Sequence, residues 1–566
     1  MPVPRTSPPA PRSGPRRLSR AGVVRAVSPR GALVLVPVDG ALGFAVRAAL
    51  AMALPALPLV VGEQARLAVY AMLGAFTTTF GRGLAYRRRA WVLALVAVAM
   101  TAAVGAGSLL AWVVRPEQGG WGAAVVVVAT GAVAGAAKFA CDAARLSGLG
   151  AVLVLFSFAV AANGAPSGTD VLQRTAVAAV GAATAYALSL AGRLWHPDRP
   201  QRLAVAAALR AVAELLEADP RIGRTRARYR ATALVLAAYG TLGARPPGGG
   251  ERAVRGGVCL ALADLAWSVL VGSARWPAGD RAALAGQLRA QGRLLGDRRR
   301  SPVLLADLWL SRRGRGPAVG GRAAELLGGH GRRLGIFAVP ALRMALGTGA
   351  AGLLALGLGL GHGYWAAISA AAVLHSVNVR TTVQRAVQRT LGTLTGLGIA
   401  VAVLAARPGP VALVLVVVLL EFGLEYLVVR NYALGVVFVT PLALLMSELA
   451  APTSTEDLVL DRGLGSLLGI GVGLLCALLV VHDRAAVRVD RALAACAAAV
   501  RAAEGALAGP GGGSPEVQVR LASAVVELRE ADDAAAGELW EAGVDPAVLA
   551  AAEERAYLLL DRLHHG

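Results

Sequence analysis

The sequence predicts an all-α integral membrane protein, built as two parallel six-helix transmembrane repeats with cytoplasmic helical regions. Three observations support this fold class. Uncharged apolar runs such as Trp91–Val114 and Gly463–Val481 reach the roughly 20 residues that a helix needs to cross the hydrocarbon core. Charged residues make up only 16% of the chain, against about 25% in soluble domains. Arginines are concentrated in every second loop between the apolar runs, and so on one side of the membrane, as the positive-inside rule requires.

Twelve apolar segments are expected to span the membrane, six in each half of the chain. In the first half they are Ala41–Val61, Leu67–Phe80, Ala90–Val114, Trp121–Ala137, Leu149–Ala162 and Val171–Leu194. In the second half they are Val339–Leu360, Tyr364–Val379, Thr390–Ala406, Val411–Phe422, Tyr432–Leu449 and Gly463–Val481. The second and fifth segments of the first half are short, and Val411–Phe422 is the shortest of all.

The distribution of charge predicts which loops face the cytoplasm. With both termini inside, the inner loops hold most of the arginines, namely Arg82, Arg87–Arg89, Arg145, Arg193, Arg380, Arg385, Arg389 and Arg430, together with Lys138. The outer loops hold Arg115 and Arg407, with Arg66, Arg174 and Arg462 at their edges. This asymmetry favours a multi-pass membrane protein with both termini cytoplasmic. The abundance of Ala, Gly and Arg, with almost no lysine, is typical of a GC-rich bacterial genome, so we expect the bacterial inner membrane.

The two halves carry matching residues in the same order. Arg47 and Arg343 lie near the start of each half, Arg174 and Arg462 lie at the start of each last span, and Leu84–Leu93 matches Thr382–Leu391. Because each half has an even number of spans, both copies enter from the same side, which makes the repeat parallel. We therefore expect a pseudo-two-fold axis along the membrane normal.

The remaining segments complete the predicted domain organisation. Residues 1–40 form a Pro- and Arg-rich tail without the apolar core of a signal peptide, and we expect it to be disordered. The first membrane half is 41–195 and the second is 336–482. Residues 196–335 and 483–566 show apolar positions at helical spacing, which predicts amphipathic cytoplasmic helices that pack on each other or on a second subunit.

Several functional classes find no support in the sequence. The chain has no Gly-x-Ser-x-Gly, Walker or His-Glu-x-x-His motif, so we expect no enzyme and no cofactor. Four scattered cysteines and seven histidines do not indicate a metal site. The net charge of +22 is explained by arginines beside the spans, so membrane lipid rather than nucleic acid is the expected partner. We leave a homo-oligomer open.

A motif in the second half carries a family resemblance. It begins with Tyr364-Trp365, continues with Arg385 and with Arg389-Thr-Leu-Gly392-Thr393-Leu-Thr-Gly396, and ends with Arg430-Asn431-Tyr432 and Asp461-Arg462. This pattern resembles the fusaric acid resistance family of aromatic acid exporters, whereas the first half lacks its Gly-Thr-x-x-Gly. The resemblance implies proton-driven export of small, often aromatic, carboxylic acids or related toxic metabolites.

Four arginines are candidates for binding the exported anion. Arginine suits a carboxylate because its planar fork donates two parallel hydrogen bonds. Arg47 and Arg343 lie just inside the first span of each half, where the alternative is a side chain that reaches the inner headgroups. Arg385 and Arg389 are four residues apart and so share one helical face; the alternative is an ordinary positive anchor.

Four further residues near the motif could line a pathway. Thr393 lies between Gly392 and Gly396, a small-residue face that allows close helix packing. Tyr364 and Trp365 could stack on an aromatic substrate or belong to an interfacial aromatic belt. Asn431 could line an inner vestibule or cap the helix that follows it.

Proton coupling requires a group that binds and releases a proton within the pathway. Glu421 and Glu425, four residues apart near an inner loop, and His375 in the eighth span are the candidates. A solvated loop is the alternative for the glutamates, and a packed polar residue for His375. The sequence thus favours a secondary exporter, with a passive organic-anion channel and a non-transporting membrane scaffold as alternatives.

Overall fold

A computed structural model describes residues 35, 38, 40–144, 146, 150–163, 166–219, 223–243, 251–274, 277–297, 335–361, 363–376, 378–450, 455–479, 483–509, 514–538 and 544–565. Every regular element among these residues is helical, so the predicted all-α class is confirmed. Most of the expected tail 1–40, and residues 298–334 of the predicted cytoplasmic region, lie outside the described residues.

The helices of the described chain fall into four successive groups. The first half contains α1 (Ala41–Val61), α2 (Ala65–Ala75), α3 (Tyr86–Val114), α4 (Gly120–Ala144), α5 (Gly150–Ala162) and α6 (Gly168–Trp195), and a 3₁₀ turn, Phe76–Thr79, continues α2. Next come α7 (Arg199–Glu217), α8 (Arg224–Leu242), α9 (Glu251–Val271) and α10 (Ala278–Gly296). The second half contains α11 (Gly335–Gly357), α12 (Tyr364–Leu374), α13 (Val379–Ala405), α14 (Pro410–Leu427), α15 (Tyr432–Ala450) and α16 (Thr455–Leu479). The chain continues with α17 (Asp483–Ala508), α18 (Pro515–Ala536) and α19 (Pro546–His565).

Nine helices of the described chain are long and apolar enough to cross a membrane, namely α1, α3, α4, α6, α11, α13, α14, α15 and α16. Three of the twelve predicted spans, α2, α5 and α12, are not among these nine helices. These three helices have 11 to 13 residues and rise only about 16–20 Å, against about 30 Å for the hydrocarbon core. Nearly all of their side chains are buried by neighbouring helices, which is where short or interrupted helices are tolerated at membrane depth.

Two predicted boundaries also need correction. The segment expected to be the shortest, Val411–Phe422, is part of the 18-residue helix α14. Helix α13 begins at Val379 rather than Thr390, because Asn378 caps it by accepting a hydrogen bond from the amide of Thr381 at 2.9 Å. Three arginines assigned to an inner loop, Arg380, Arg385 and Arg389, therefore lie within a helix.

The helices of the two membrane halves pack in the same order. In the first half α6 packs on α1, α2 and α3, while α5 packs on α3 and α4. In the second half α16 packs on α11, α12 and α13, while α15 packs on α13 and α14. The halves meet through two reciprocal pairs, α1 with α14 and α4 with α11. This is the pattern that a parallel repeat produces; the repeat itself stays a prediction.

A glycine permits the closest helix approach in each half. A methyl group at Gly181 of α6 would lie 1.9 Å from the carbonyl oxygen of Ala71 in α2, and one at Gly469 of α16 would lie 2.1 Å from that of Ala366 in α12. Only a residue without a side chain allows the backbones to approach this closely.

Replacing Gly469 by alanine should therefore destabilise the second half. Forcing a methyl group into a packed interface costs about 1–3 kcal/mol, and α12 must move away from α16 to accept it. Gly471, two residues further along α16, faces open space, so Gly471→Ala is the matched control. Unfolding in detergent should begin at a lower temperature for Gly469→Ala only; equal melting of both variants would contradict the assigned contact.

Helices α7–α10 and α17–α19, here called the polar bundle, pack around a shared core. None of these described helices qualifies as a membrane span. Side-chain contacts join the two parts: the indole of Trp267 donates to Gln518 at 3.1 Å, and the hydroxyls of Thr232 and Tyr557 lie 3.0 Å apart. The two predicted amphipathic regions therefore pack against each other.

A candidate anion-binding site

Two arginines are buried among the helices of the second half. Arg389 of α13 and Arg462 of α16 are 3% and 2% exposed, and each lies about two turns or more inside its helix. Arg389 donates to the hydroxyls of Ser369 at 3.3 Å and Tyr432 at 3.4 Å. The guanidinium of Arg462 lies 4.1 Å above the ring of Trp365.

The hydrogen-bonding capacity of these two guanidinium groups is not filled. The Nε atom of Arg389 and the Nε and Nη1 atoms of Arg462 are buried without a hydrogen-bond partner in the described part of the chain. Within the described part of the chain, the groups that act electrostatically on Arg462 are Arg389, Tyr364 and Tyr432, which include no carboxylate. A buried cation is expensive unless a counter-charge neutralises it, so this cluster is complementary to an anion.

Aromatic rings surround the same cations. The rings of Tyr364 and Trp365 lie 4.6 Å apart, and Phe156 of α5, from the first half, stacks on Trp365 at 6.2 Å. Tyr364 is 7% exposed and Trp365 is fully buried. A membrane-belt residue would face lipid, so that interpretation of the two aromatics is wrong. The contact with Phe156 places the cluster where the two halves meet.

Two other predicted residues of α13 lie beside this cluster. The guanidinium of Arg385 lies 5.5 Å from the centre of the Tyr432 ring, so Arg385 and Arg389 both contact Tyr432 from one face of the helix. Thr393, one turn beyond Arg389, is buried, and its hydroxyl has no partner among the described residues. The flanking Gly392 and Gly396 touch α15 closely.

Three predicted site residues lie elsewhere and stabilise local structure. Arg343 donates to the carbonyl oxygens of Ser376 at 2.9 Å and Leu374 at 3.4 Å, so its charge faces the end of α12. Arg47 lies over the ring of Phe44 in its own helix, at 4.4 Å. Asn431 accepts a hydrogen bond from the amide of Ala433 at 2.8 Å, which caps α15. These contacts of Arg343, Arg47 and Asn431 lie outside the cluster of Arg389 and Arg462.

The two glutamates of α14 form a second polar group between the halves. Glu425 pairs with Arg82 of the first half and accepts a hydrogen bond from Thr79 at 2.8 Å. Glu421, one turn away, is 1% exposed, and its Oε2 atom has no hydrogen-bond partner within the described ranges. The alternative of a solvated loop is wrong, because both residues lie inside a helix that continues to Leu427. His375 is the first residue after α12, not a residue within a span.

Sequence reasoning missed several residues of these two groups. Arg462 was assigned to the edge of an outer loop, although Asp461-Arg462 belongs to the family motif. Ser369 gave no signal of its own. Arg89, which the charge pattern places in an inner loop with Arg87 and Arg88, is 2% exposed, and two of its buried nitrogens have no hydrogen-bond partner in the described chain. It follows Tyr86 and precedes Leu93 on the buried face of α3, a spacing that could have identified it.

Comparison with known proteins finds a family similarity in the region that holds this site. Residues 350–476 match the family described as "Fusaric acid resistance protein-like", and this range contains Tyr364, Trp365, Arg389 and Arg462. A relative from Bacillus subtilis (strain 168), the "Uncharacterized membrane protein YvaC", is 32% identical over 231 residues. The alignment covers 40% of this chain and 36% of that protein. No solved structure matches this chain. The predicted family resemblance is therefore confirmed for residues 350–476, the part of the second membrane half that is similar to fusaric acid resistance protein-like domains.

Proposed function

We propose that this protein exports small aromatic carboxylic acids, or related toxic metabolites, across the bacterial inner membrane. One observation carries the proposal: Arg389 and Arg462 are buried together without a carboxylate partner in the described chain, next to the rings of Trp365 and Tyr364. A ligand that fits this cluster supplies a negative charge and a flat apolar surface. An aromatic acid has both.

Each part of such a ligand has a counterpart in the cluster. The carboxylate would accept hydrogen bonds from the unfilled nitrogens of Arg462 and Arg389, and charge-assisted hydrogen bonds of this kind are the strongest that side chains form. The ring would stack beside Trp365, since aromatic pairs prefer offset or edge-to-face contact. Fusaric acid, after which the family is named, is itself an aromatic carboxylic acid.

The present arrangement is a closed one. Arg462 covers one part of the Trp365 ring and Phe156 stacks against it from the other half. A substrate can reach the ring only if Phe156 and Trp365 separate, which requires the two halves to move apart. Such movement of one half against the other is how repeat-based transporters alternate their access.

The orientation and the energy source are part of the same proposal. Both termini and the polar bundle lie in the cytoplasm, as the arginine distribution predicts; a reporter fused after Arg300 should behave as cytoplasmic. Glu421 carries the coupled proton, because it is buried at the boundary between the halves with one oxygen atom unpartnered among the described residues. A passive anion channel would need no such group, so loss of proton dependence would favour the channel.

Ligand-dependent thermal stabilisation of the purified protein tests the substrate class. Benzoate should bind about 2- to 10-fold more tightly than cyclohexanecarboxylate, which has the charge without the aromatic ring. Benzamide, which has the ring without the charge, should bind at least about 10-fold more weakly than benzoate. Fusaric acid should behave as benzoate does. Equal stabilisation by all four compounds, or by none, would overturn the proposal.

A further inference from the structure

The polar bundle touches the membrane helices at the start of α13. Asn378, the residue before α13, donates from Nδ2 to the carbonyl oxygen of Ala534 at 3.1 Å. The backbone amide of Arg380 donates to the carbonyl oxygen of Gly537 at 2.9 Å. Ala534 lies in the last turn of α18, and Gly537 is the residue that follows this helix.

These contacts supply hydrogen bonds that the start of α13 lacks. The first amides of any helix have no partner within that helix. Here the amide of Val379 is bonded to Glu538, that of Arg380 to Gly537, and that of Thr381 to the side chain of Asn378. Two of these three acceptors belong to the polar bundle.

The end of α18 and the start of α13 fit closely together. A methyl group at Gly537 would lie 2.3 Å from Nδ2 of Asn378. Burial raises the pKa of Glu538, while the charge of Arg343 and the amide of Val379 act in the opposite direction. An acidic residue at a helix N-terminus also interacts favourably with the helix dipole. The joint is therefore specific in shape, hydrogen bonding and charge.

We propose that the end of α18 acts as part of the N-terminal cap of α13, and that the polar bundle thereby positions the anion-binding arginines. Arg385 and Arg389 lie within the first three turns of α13, so a shift of its capped end moves both. Undocking of α18 leaves two amides of α13 without partners and loosens those turns. The polar bundle is then a regulatory element of the site, and Asn378 and Gly537 are its positioning residues.

Hydrogen exchange of the full-length protein in nanodiscs tests the joint directly. In Gly537→Ala, the amides of residues 380–384 should exchange about 10-fold faster, since about 1.4 kcal/mol of protection corresponds to a tenfold change. Gly505 in α17 faces open space, so Gly505→Ala is the matched control and should exchange as wild type does. Faster exchange confined to residues 534–538 would overturn the proposal.

A second variant covers the case in which Gly537→Ala disturbs the polar bundle itself. Asn378→Asp keeps the acceptor that caps Thr381 but removes the donor to Ala534, so it should also speed exchange at residues 380–384. The role of this joint in positioning the arginines rests on the proposed function, and benzoate affinity should fall about threefold or more in Asn378→Asp. If wild-type protein binds no benzoate, the proposed function is refuted, and the hydrogen-exchange result alone tests whether α18 caps α13. If Asn378→Asp exchanges faster but binds benzoate with unchanged affinity, the positioning role is refuted.

Discussion

Glutamine in place of Arg462 should weaken benzoate binding by about 10- to 150-fold, the loss that follows from removing a hydrogen bond to a charged group worth about 1.5–3 kcal/mol. Arg462→Lys should recover only part of this loss, because lysine keeps the charge but not the planar fork. Arg389→Gln should also weaken benzoate binding, although two hydroxyls already accept hydrogen bonds from Arg389. Thermal shifts at increasing benzoate concentration give the affinity.

The first half provides a matched control for this experiment. Arg174 holds the corresponding place at the start of α6 and lies 5.0 Å over the ring of Tyr70, yet it is partly exposed. Arg174→Gln should change benzoate affinity by no more than about twofold. Equal losses from Arg174→Gln and Arg462→Gln would contradict the assignment of the site to the second half.

The stability of the ligand-free protein separates binding from a structural role. If Arg462 serves only to pack against Trp365, its removal loses a cation–π contact of about 0.5–2 kcal/mol and lowers the unfolding temperature without changing affinity. If Arg462 awaits an anion, Arg462→Gln removes an uncompensated buried charge and should leave the unfolding temperature unchanged or raise it. A packing role therefore predicts a lower unfolding temperature for Arg462→Gln, whereas an anion-binding role predicts an unchanged or higher one.

The sequence predicted those features that follow from helical periodicity and side-chain size. Arg385 and Arg389 share a face of α13 because they are four residues apart, and both contact Tyr432 as a result. Gly392 and Gly396 lie at a close helix contact, as their small-xxx-small spacing indicated. These properties depend on one helix and its immediate neighbour, so local spacing is enough to predict them.

The features that depend on packing between distant segments were not predictable in this way. An apolar run is needed both to face lipid and to be buried by other helices, so hydropathy marks α2, α5 and α12 as spans, although the predicted segments of α2 and α5 are already short. The sequence places Arg462 at the edge of an outer loop and Glu421 near an inner loop, because charged residues usually lie near the end of a span. A charge is tolerated within a span where it faces protein rather than lipid, and Trp365 and Arg82 provide those surroundings from other segments.

The second large effect is expected at Glu421. In proteoliposomes with an imposed pH gradient, wild-type protein should accumulate benzoate against its concentration gradient, and Glu421→Gln should only equilibrate it. Glutamine keeps the size and hydrogen-bonding capacity of the side chain but cannot bind and release a proton. Exchange of labelled for unlabelled benzoate needs no net proton movement, so it should remain within about twofold of wild type.

Position explains why Glu421 rather than Glu425 should carry the proton. Glu425 is neutralised by Arg82 and held by Thr79, so breaking this buried pair costs about 3–5 kcal/mol and Glu425→Gln should chiefly lower the amount of folded protein. Glu421 has an unpartnered buried oxygen, and a carboxylate in that setting is expensive to ionise. Glu421 therefore exchanges its proton when the halves separate and water enters.

Glu504→Gln, which removes an exposed partner of Arg555, is the control and should accumulate benzoate as wild type does. Continued accumulation by Glu421→Gln would rule out Glu421 as the coupling residue, and wild-type flux independent of the pH gradient would favour an anion channel.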